Sequence, residues 1–255
     1  CVARRMGSSP ITRTNIRKNR PIGRFFYYPE TTGADFFMKT KKDCEELLHL
    51  CAASVGGFFG AYSTLNRHEN FGSSATTNLI IIISDILGNS LKDAFIRLAA
   101  MLIYVSAIIL TVLIAHYTSL NTKKLSVFLS SCCAVILCFL PEKMDYIISL
   151  YPIFFITAFQ WNSFMGTGKL ASSTIFSTNN LRVTVCGYVS YIISKDKKQL
   201  ETANYYALTL LFFHIGVIYE YIFFRLFGIK SSVAAFPLLA ATFAVILIDE
   251  RRKNR

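Results

Sequence analysis

Charge is scarce in this sequence. Asp, Glu, Lys and Arg make up 16% of the 255 residues, 53% are hydrophobic, and the mean hydropathy is +0.43. Soluble domains carry roughly 25% charged residues, so a single aqueous core cannot hide this much apolar surface. Several apolar stretches approach 20 residues, the length that crosses a hydrocarbon layer of about 30 Å. Span length and charge depletion together exclude a large soluble helical protein. Long polar loops are missing as well, which leaves no room for a separate soluble domain. Tryptophan occurs once, as Trp161 between Gln160 and Asn162. Anchoring at a membrane interface is the default for such a residue, with ligand stacking second.

Catalytic signatures are absent too. There is no nucleophile elbow, P-loop, H-E-x-x-H pair or dinucleotide fingerprint. Gly166-Thr167-Gly168-Lys169 lacks both the earlier glycine and the following Ser/Thr of a phosphate loop. No enzyme activity, cofactor or metal is expected. The seven cysteines are odd in number and include no C-x-x-C pair, which argues against a disulfide framework. Cys51, Cys132, Cys133, Cys138 and Cys186 sit in apolar segments, where a thiol behaves as a small hydrophobe. Cys132 and Cys133 are adjacent, so on a helix they face different directions and cannot share a metal.

What is plentiful is positive charge, +12 in all. Its placement speaks against nucleic acid, because a basic nucleic-acid face interleaves aromatic and basic residues on a water-facing surface. Here the aromatics lie inside the apolar spans. Residues 1–37 hold Arg4, Arg5, Arg13, Arg17, Lys18, Arg20 and Arg24 against Glu30 and Asp35. Much of the remaining charge flanks the spans or lies in Arg251-Arg252-Lys253-Asn254-Arg255. Residues 1–37 have no apolar core of a secretory signal and read either as a basic arm on anionic lipid or as sequence outside the native protein. Met38-Lys39-Thr40-Lys41-Lys42 has the form of a natural start, so the native chain is expected to begin at Met38.

The fold expected for residues 38–255 is an all-α polytopic transmembrane bundle in two halves, 38–141 and 142–255. Six spans are read at 47–65, 98–117, 126–140, 147–164, 205–227 and 231–248, with two short elements at 77–91 and 178–194. The glycines of the first span, Gly56, Gly57 and Gly60, are small enough to admit another helix backbone. If the short elements do not cross, both termini, the Lys123-Lys124 loop and residues 166–203 share one strongly basic side. The positive-inside rule assigns that side to the cytoplasm. Three crossings per half then invert the second half relative to the first, a recurrent secondary-transporter design.

Thr76-Thr77-Asn78-Leu79 recurs 102 positions later as Thr178-Asn179-Asn180-Leu181, and each copy follows a long apolar segment. Around these positions stand Gly57-Phe58-Phe59-Gly60-Ala61-Tyr62, Arg67-His68-Glu69-Asn70-Phe71, Gln160-Trp161-Asn162-Ser163-Phe164 and Arg182. In these segments the chain resembles the YoaK-like family of bacterial membrane proteins, a domain of unknown function, from about Glu45 to Ile248. The resemblance implies architecture and no reaction. Gly60 stands where that family usually has Asp, and Thr77 and Asn179 replace the central glycines of its Thr-Gly-Asn elements. A carboxylate role at position 60 and close backbone approach at 77 and 179 therefore do not carry over.

Thr76, Thr77, Asn78, Thr178, Asn179 and Asn180 have two readings. Thr and Asn are favoured helix N-caps. Alternatively, two opposed helix N-termini meet near mid-membrane, with Gln160 and Asn162, and bind a polar or anionic solute. Ionisable residues inside spans mark function by default. Asp85 and Arg182 either pair across the halves, line a polar path, or sit at the membrane edge. His214 is the candidate proton-linked group, against a plain buried histidine, and Glu220 is placed at an interface beside Arg225. The function expected is a small-solute permease in the cytoplasmic membrane of a bacterium. The competing class is a non-transporting scaffold or accessory subunit. The bilayer is the expected partner, and assembly into a homo-oligomer stays open.

Overall fold

A computed structural model of the protein describes residues 38–67, 75–88, 90–166 and 170–253. The basic segment 1–37, His68–Phe71 and Thr167–Lys169 lie outside the described residues, and with them the expectations placed there. The described residues form eight α-helices and two 3-10 stretches, with no β-strand among them. The helices are α1 (Met38–Asn66), α2 (Ala75–Leu87), α3 (Leu91–Tyr117), α4 (Thr122–Phe139), α5 (Tyr151–Ser163), α6 (Thr178–Ser194), α7 (Lys197–Phe227) and α8 (Ala235–Lys253). The 3-10 stretches, Ile148–Leu150 and Gly228–Ala234, lead into α5 and α8.

Among the described residues, three helical stretches are long and apolar enough to cross a membrane: Leu91–Tyr117, Thr122–Phe139 and Lys197–Lys253. The third contains α7, the 3-10 stretch and α8. On α3 the outward stripe is Leu98, Leu102, Val105, Ile109 and Leu113, and on α7 it is Leu211, Ile215, Ile218 and Ile222. These steps of three and four place each stripe on one helix face. Apolar faces of that extent are foreign to water-soluble monomers and suit hydrocarbon.

Helix ends reach further than the apolar runs suggested. α1 begins at Met38 and α7 at Lys197, so the polar and charged residues ahead of the apolar runs at 47 and 205 continue the helices. Asp196 caps α7 by accepting a hydrogen bond from Lys198 N (3.0 Å), and Asn121 caps α4 by accepting from Lys123 N and Lys124 N. The charged first turn of α7 keeps its helical bonds while its exposed side chains hydrate, which hydropathy cannot register.

Burial concentrates on α1 and α5. From Ala52 to Ser63 every α1 side chain is buried, as is the run from Ile156 to Gln160 on α5. α1 packs chiefly on α7 and α8, and α5 chiefly on α3 and α4. α2 packs on α3 and α6 on α7. α7 runs parallel to α1, as three successive contacts show: His49 with Tyr205, Ser54 with Phe212, and Asn66 with Glu220. α8 runs antiparallel to α1, since Glu45 meets Lys253 near one end while Tyr62 donates to the Ile229 carbonyl near the other. α4 is antiparallel to α8, from Lys124 with Glu250 to Ala134 with Ser232. α3 and α5 begin at the same end, where Tyr151 donates to the Ile96 carbonyl (2.8 Å).

The α1–α7 crossing is close because of glycine. A Cβ on Gly57 would sit 1.9 Å from the Phe213 carbonyl oxygen, and one on Gly216 would sit 2.0 Å from that of Ser54. The close helix approach expected of the first span's glycines is thus present at Gly57.

Candidate functional site

The chain between α5 and α6 enters the bundle. Residues 172–175 are fully buried although this segment has no regular helix. Buried backbone needs partners for its N–H and C=O groups, and neighbouring side chains supply them. Asn180, two residues into α6, accepts from Ser173 N (3.1 Å) and donates to Ser173 O (2.7 Å). Ser173 Oγ accepts from Ile175 N and Phe176 N, closing a tight turn. The Thr174 carbonyl rests on Gly56 of α1, where a Cβ would lie 2.0 Å from its oxygen.

Around this segment lies a ring of buried polar side chains. His49 Nε2 is 2.6 Å from Ser172 Oγ, which is 3.0 Å from Thr209 Oγ1. The His49 ring stacks on Tyr205 at 5.5 Å between centroids. Gln160 Nε2 donates to the Ala52 carbonyl (2.8 Å) and also faces Gly56. α1, α5 and α7 therefore each contribute one face, and residues 172–175 contribute the fourth. A histidine, an amide and two hydroxyls can both donate and accept hydrogen bonds, which suits an uncharged or anionic polar guest.

Beyond Gln160 a small space is bounded by Ala52, Val55, Ser126, Ser130 and Thr242, with a volume of about 10 Å³. Toward the basic end of the bundle, a cleft of about 310 Å³ is lined by Leu48, Asn121, Lys123, Asp249, Glu250 and Lys253 among others. Leu48 adjoins His49 in the chain.

The repeated Thr/Asn elements share one pattern of exposure. Thr76 and Thr77 are exposed while Asn78 is buried, and Thr178 and Asn179 are exposed while Asn180 is buried. Their partners differ. Asn78 Oδ1 accepts from Arg97 Nη1 (3.3 Å) in the α2–α3 hairpin, whereas Asn180 holds Ser173. The structure thus places the two asparagines in separate hairpins. The N-cap reading needs correction for α6: its N-cap is Ser177, which makes no side-chain capping bond. Asn162 turns back on its own helix, donating to Ala158 O, and Trp161 stands edge-on to Phe176.

Three further expectations change. Asp85 does not pair with Arg182. It meets Arg97, Oδ2 to Nε 3.4 Å, while exposed Arg182 donates to Asn179 one turn away. His214 is exposed on the bundle's flank, its Nδ1 2.8 Å from the Leu210 carbonyl of its own helix, so it joins no interior proton path. Glu220 is not at an interface with water. It is fully buried, accepting hydrogen bonds from Ser231 Oγ (2.5 Å) and Asn66 Nδ2 (3.5 Å). α7 is apolar on every side, so no amphipathic stripe tells which of its polar residues faces inward. The only sequence signal for His49 was an ionisable residue early in an apolar span.

The six described cysteines are all free, with Cys133 buried and Cys186 exposed. A family model described as "Protein of unknown function (DUF1275)" matches residues 48–248. No curated protein and no solved structure matches the chain.

Proposed function

The chain belongs to the DUF1275 family, the YoaK-like domain of unknown function that its motifs resemble, and from this and the buried polar site we propose that it is a permease for a small polar or anionic solute. One observation carries the reading: non-helical backbone at 172–175 lies inside the bundle, walled by His49, Gln160 and Thr209. Irregular backbone at membrane depth is tolerated only where protein covers it or where it lines a cavity, and broken helices are where transporters hold solutes.

The proposed topology has six crossings, α1, α3, α4, α5, α7 and α8, with α2 and α6 as short re-entrant helices. Two inverted halves are supported by the exchange of partners: the first helix of each half packs on the third and fourth of the other. The end carrying Lys123, Lys124, Lys195, Lys197, Lys198 and the α8 terminus would face the cytoplasm of a bacterium. Solute would enter from the cleft at that end and reach His49, Gln160, Ser172 and Thr209. Asn180, and Asn78 in the other half, position the re-entrant elements.

The test is uptake by vesicles containing the purified protein, using a panel of small polar and anionic solutes. The double substitution Asn78→Leu, Asn180→Leu should abolish uptake of any solute carried, with membrane insertion intact. Uptake unchanged in that double variant removes the proposal. A non-transporting scaffold or accessory subunit is the second reading. The tight interior favours it, since a space of about 10 Å³ barely admits one water.

A further inference from the structure

At the other end of α1, far from the His49 ring along the helix, a second polar cluster surrounds Glu220. Its Oε1 accepts both available donors, Ser231 Oγ and Asn66 Nδ2. Its Oε2 is buried with no hydrogen-bond partner, and so is the amide oxygen of Asn66, Oδ1. Two buried acceptors on adjoining side chains, both bare, are a poor arrangement for an ionised carboxylate. Each bare acceptor loses its water and gains nothing.

A single proton satisfies both. Placed on Glu220 Oε2, it turns that oxygen into a donor for Asn66 Oδ1. The Asn66 amide already donates to Oε1 from its other end. Acid and amide then form a closed ring of two hydrogen bonds, with Ser231 as the third partner on Oε1. We propose that Glu220 and Asn66 form a proton-binding site, occupied at neutral pH.

The ionisable groups around it come from four elements. Tyr219 adjoins it on α7 and Tyr62 faces it from α1, and Tyr62 is in turn flanked by Arg67, just beyond the end of α1, and by Cys133 and Cys138 of α4. Lys230, in the 3-10 stretch after α7, is exposed. Tyr62 gives its hydroxyl to the Ile229 carbonyl. Arg67 directs Nη1 to the Glu142 carbonyl at 3.4 Å. Arg67 and Lys230 are the cations among the described residues nearby that would favour a bare carboxylate.

The site stands on these contacts and does not need the permease reading. If that reading holds, the site lies on α7, the helix that also carries Thr209, and loss or gain of the proton is a means of coupling. The experiment is infrared difference spectroscopy of the whole protein in lipid, following the carbonyl stretch of protonated carboxylic acids. A band should be present at neutral pH, disappear in Glu220→Gln, and shift in frequency in Asn66→Leu, which keeps the acid but removes its partner. Glu220→Gln retains the shape and the Ser231 contact. Should it fail to fold, the Asn66→Leu shift and the same shift on Ser231→Ala carry the test. No acid band in the wild type, or one that appears only when Arg67→Ala removes the cation, overturns the proposal. Neither result bears on whether vesicles take up solute.

Discussion

Gly216 of α7 lies against Ser54 of α1 so closely that a Cβ on it would be 2.0 Å from the Ser54 carbonyl oxygen. Ser54 Oγ in turn donates to Phe212 O (3.0 Å), one turn before that glycine. Without a hydrophobic drive between helices in lipid, such close packing is what holds them together. Gly216→Leu should therefore separate α1 from α7 and cost about 3 kcal/mol or more, at the upper end of overpacking penalties. Gly228→Ala is the contrast. It has a positive φ of 55° but open space around it, so only backbone strain remains, on the order of 1–3 kcal/mol. Reversible unfolding in mixed micelles would rank the two, and equal losses would contradict the packing account.

Asp85 and Arg97 make a partly buried pair, with side chains 20% and 9% exposed, and Asn78 completes it. Removing Asp85 takes one charged partner from Arg97, which keeps Asn78. Because Asp85 is partly hydrated, Asp85→Ala should cost about 1–3 kcal/mol, below the penalty for a fully buried pair. In an Arg97→Leu background the same change should cost much less. A double-mutant cycle in unfolding free energy checks this, and strict additivity would show that the pair contributes nothing.

The Thr/Asn element of the second half divides into a working residue and exposed neighbours. Asn180→Leu removes both bonds to Ser173 and should cost roughly 2–3 kcal/mol, about 1–1.5 kcal/mol for each buried bond. Thr178→Leu and Asn179→Leu alter exposed positions and should stay within about 0.5 kcal/mol. Limited proteolysis of the 164–177 segment would report the difference, with faster cleavage only in the Asn180 variant.

His49 and His214 test whether burial or position along a span marks function. His49→Leu removes the Ser172 contact and the mixed polar character of the ring, so solute uptake should fall at least tenfold. His214→Leu changes a residue on the flank and should leave uptake as it was. The reverse ranking would place the polar path on the wrong side of α7.

How far the sequence carries can be judged from these same residues. The helical class was legible, because charge depletion and runs of apolar residues leave few alternatives. So was a close helix approach at Gly57, since glycine in an apolar span has few other uses. Asn78 and Asn180 were legible as a pair through their repetition, but their partners were not. Arg97 and Ser173 lie in other elements, and nothing local announces them. Glu220 and His214 were exchanged in importance for a physical reason: a helix apolar all round gives no sign of which face turns inward. Glu220 is explained by Asn66 of α1 and by Ser231, which meets it once the chain has turned at Gly228.

The central claim is that water and solute reach the buried polar ring around residues 172–175. Thiol labelling tests it most directly, in a background where the seven native cysteines are replaced. A membrane-impermeant thiol reagent is applied to Ser172→Cys, with Ile215→Cys on the lipid-facing flank of α7 and Lys195→Cys at the basic end as references. Cys at 172 should label from one side of the membrane at a rate well above 215 and below 195. Labelling at 172 no faster than at 215, from either side, would contradict the account and leave a closed scaffold in its place.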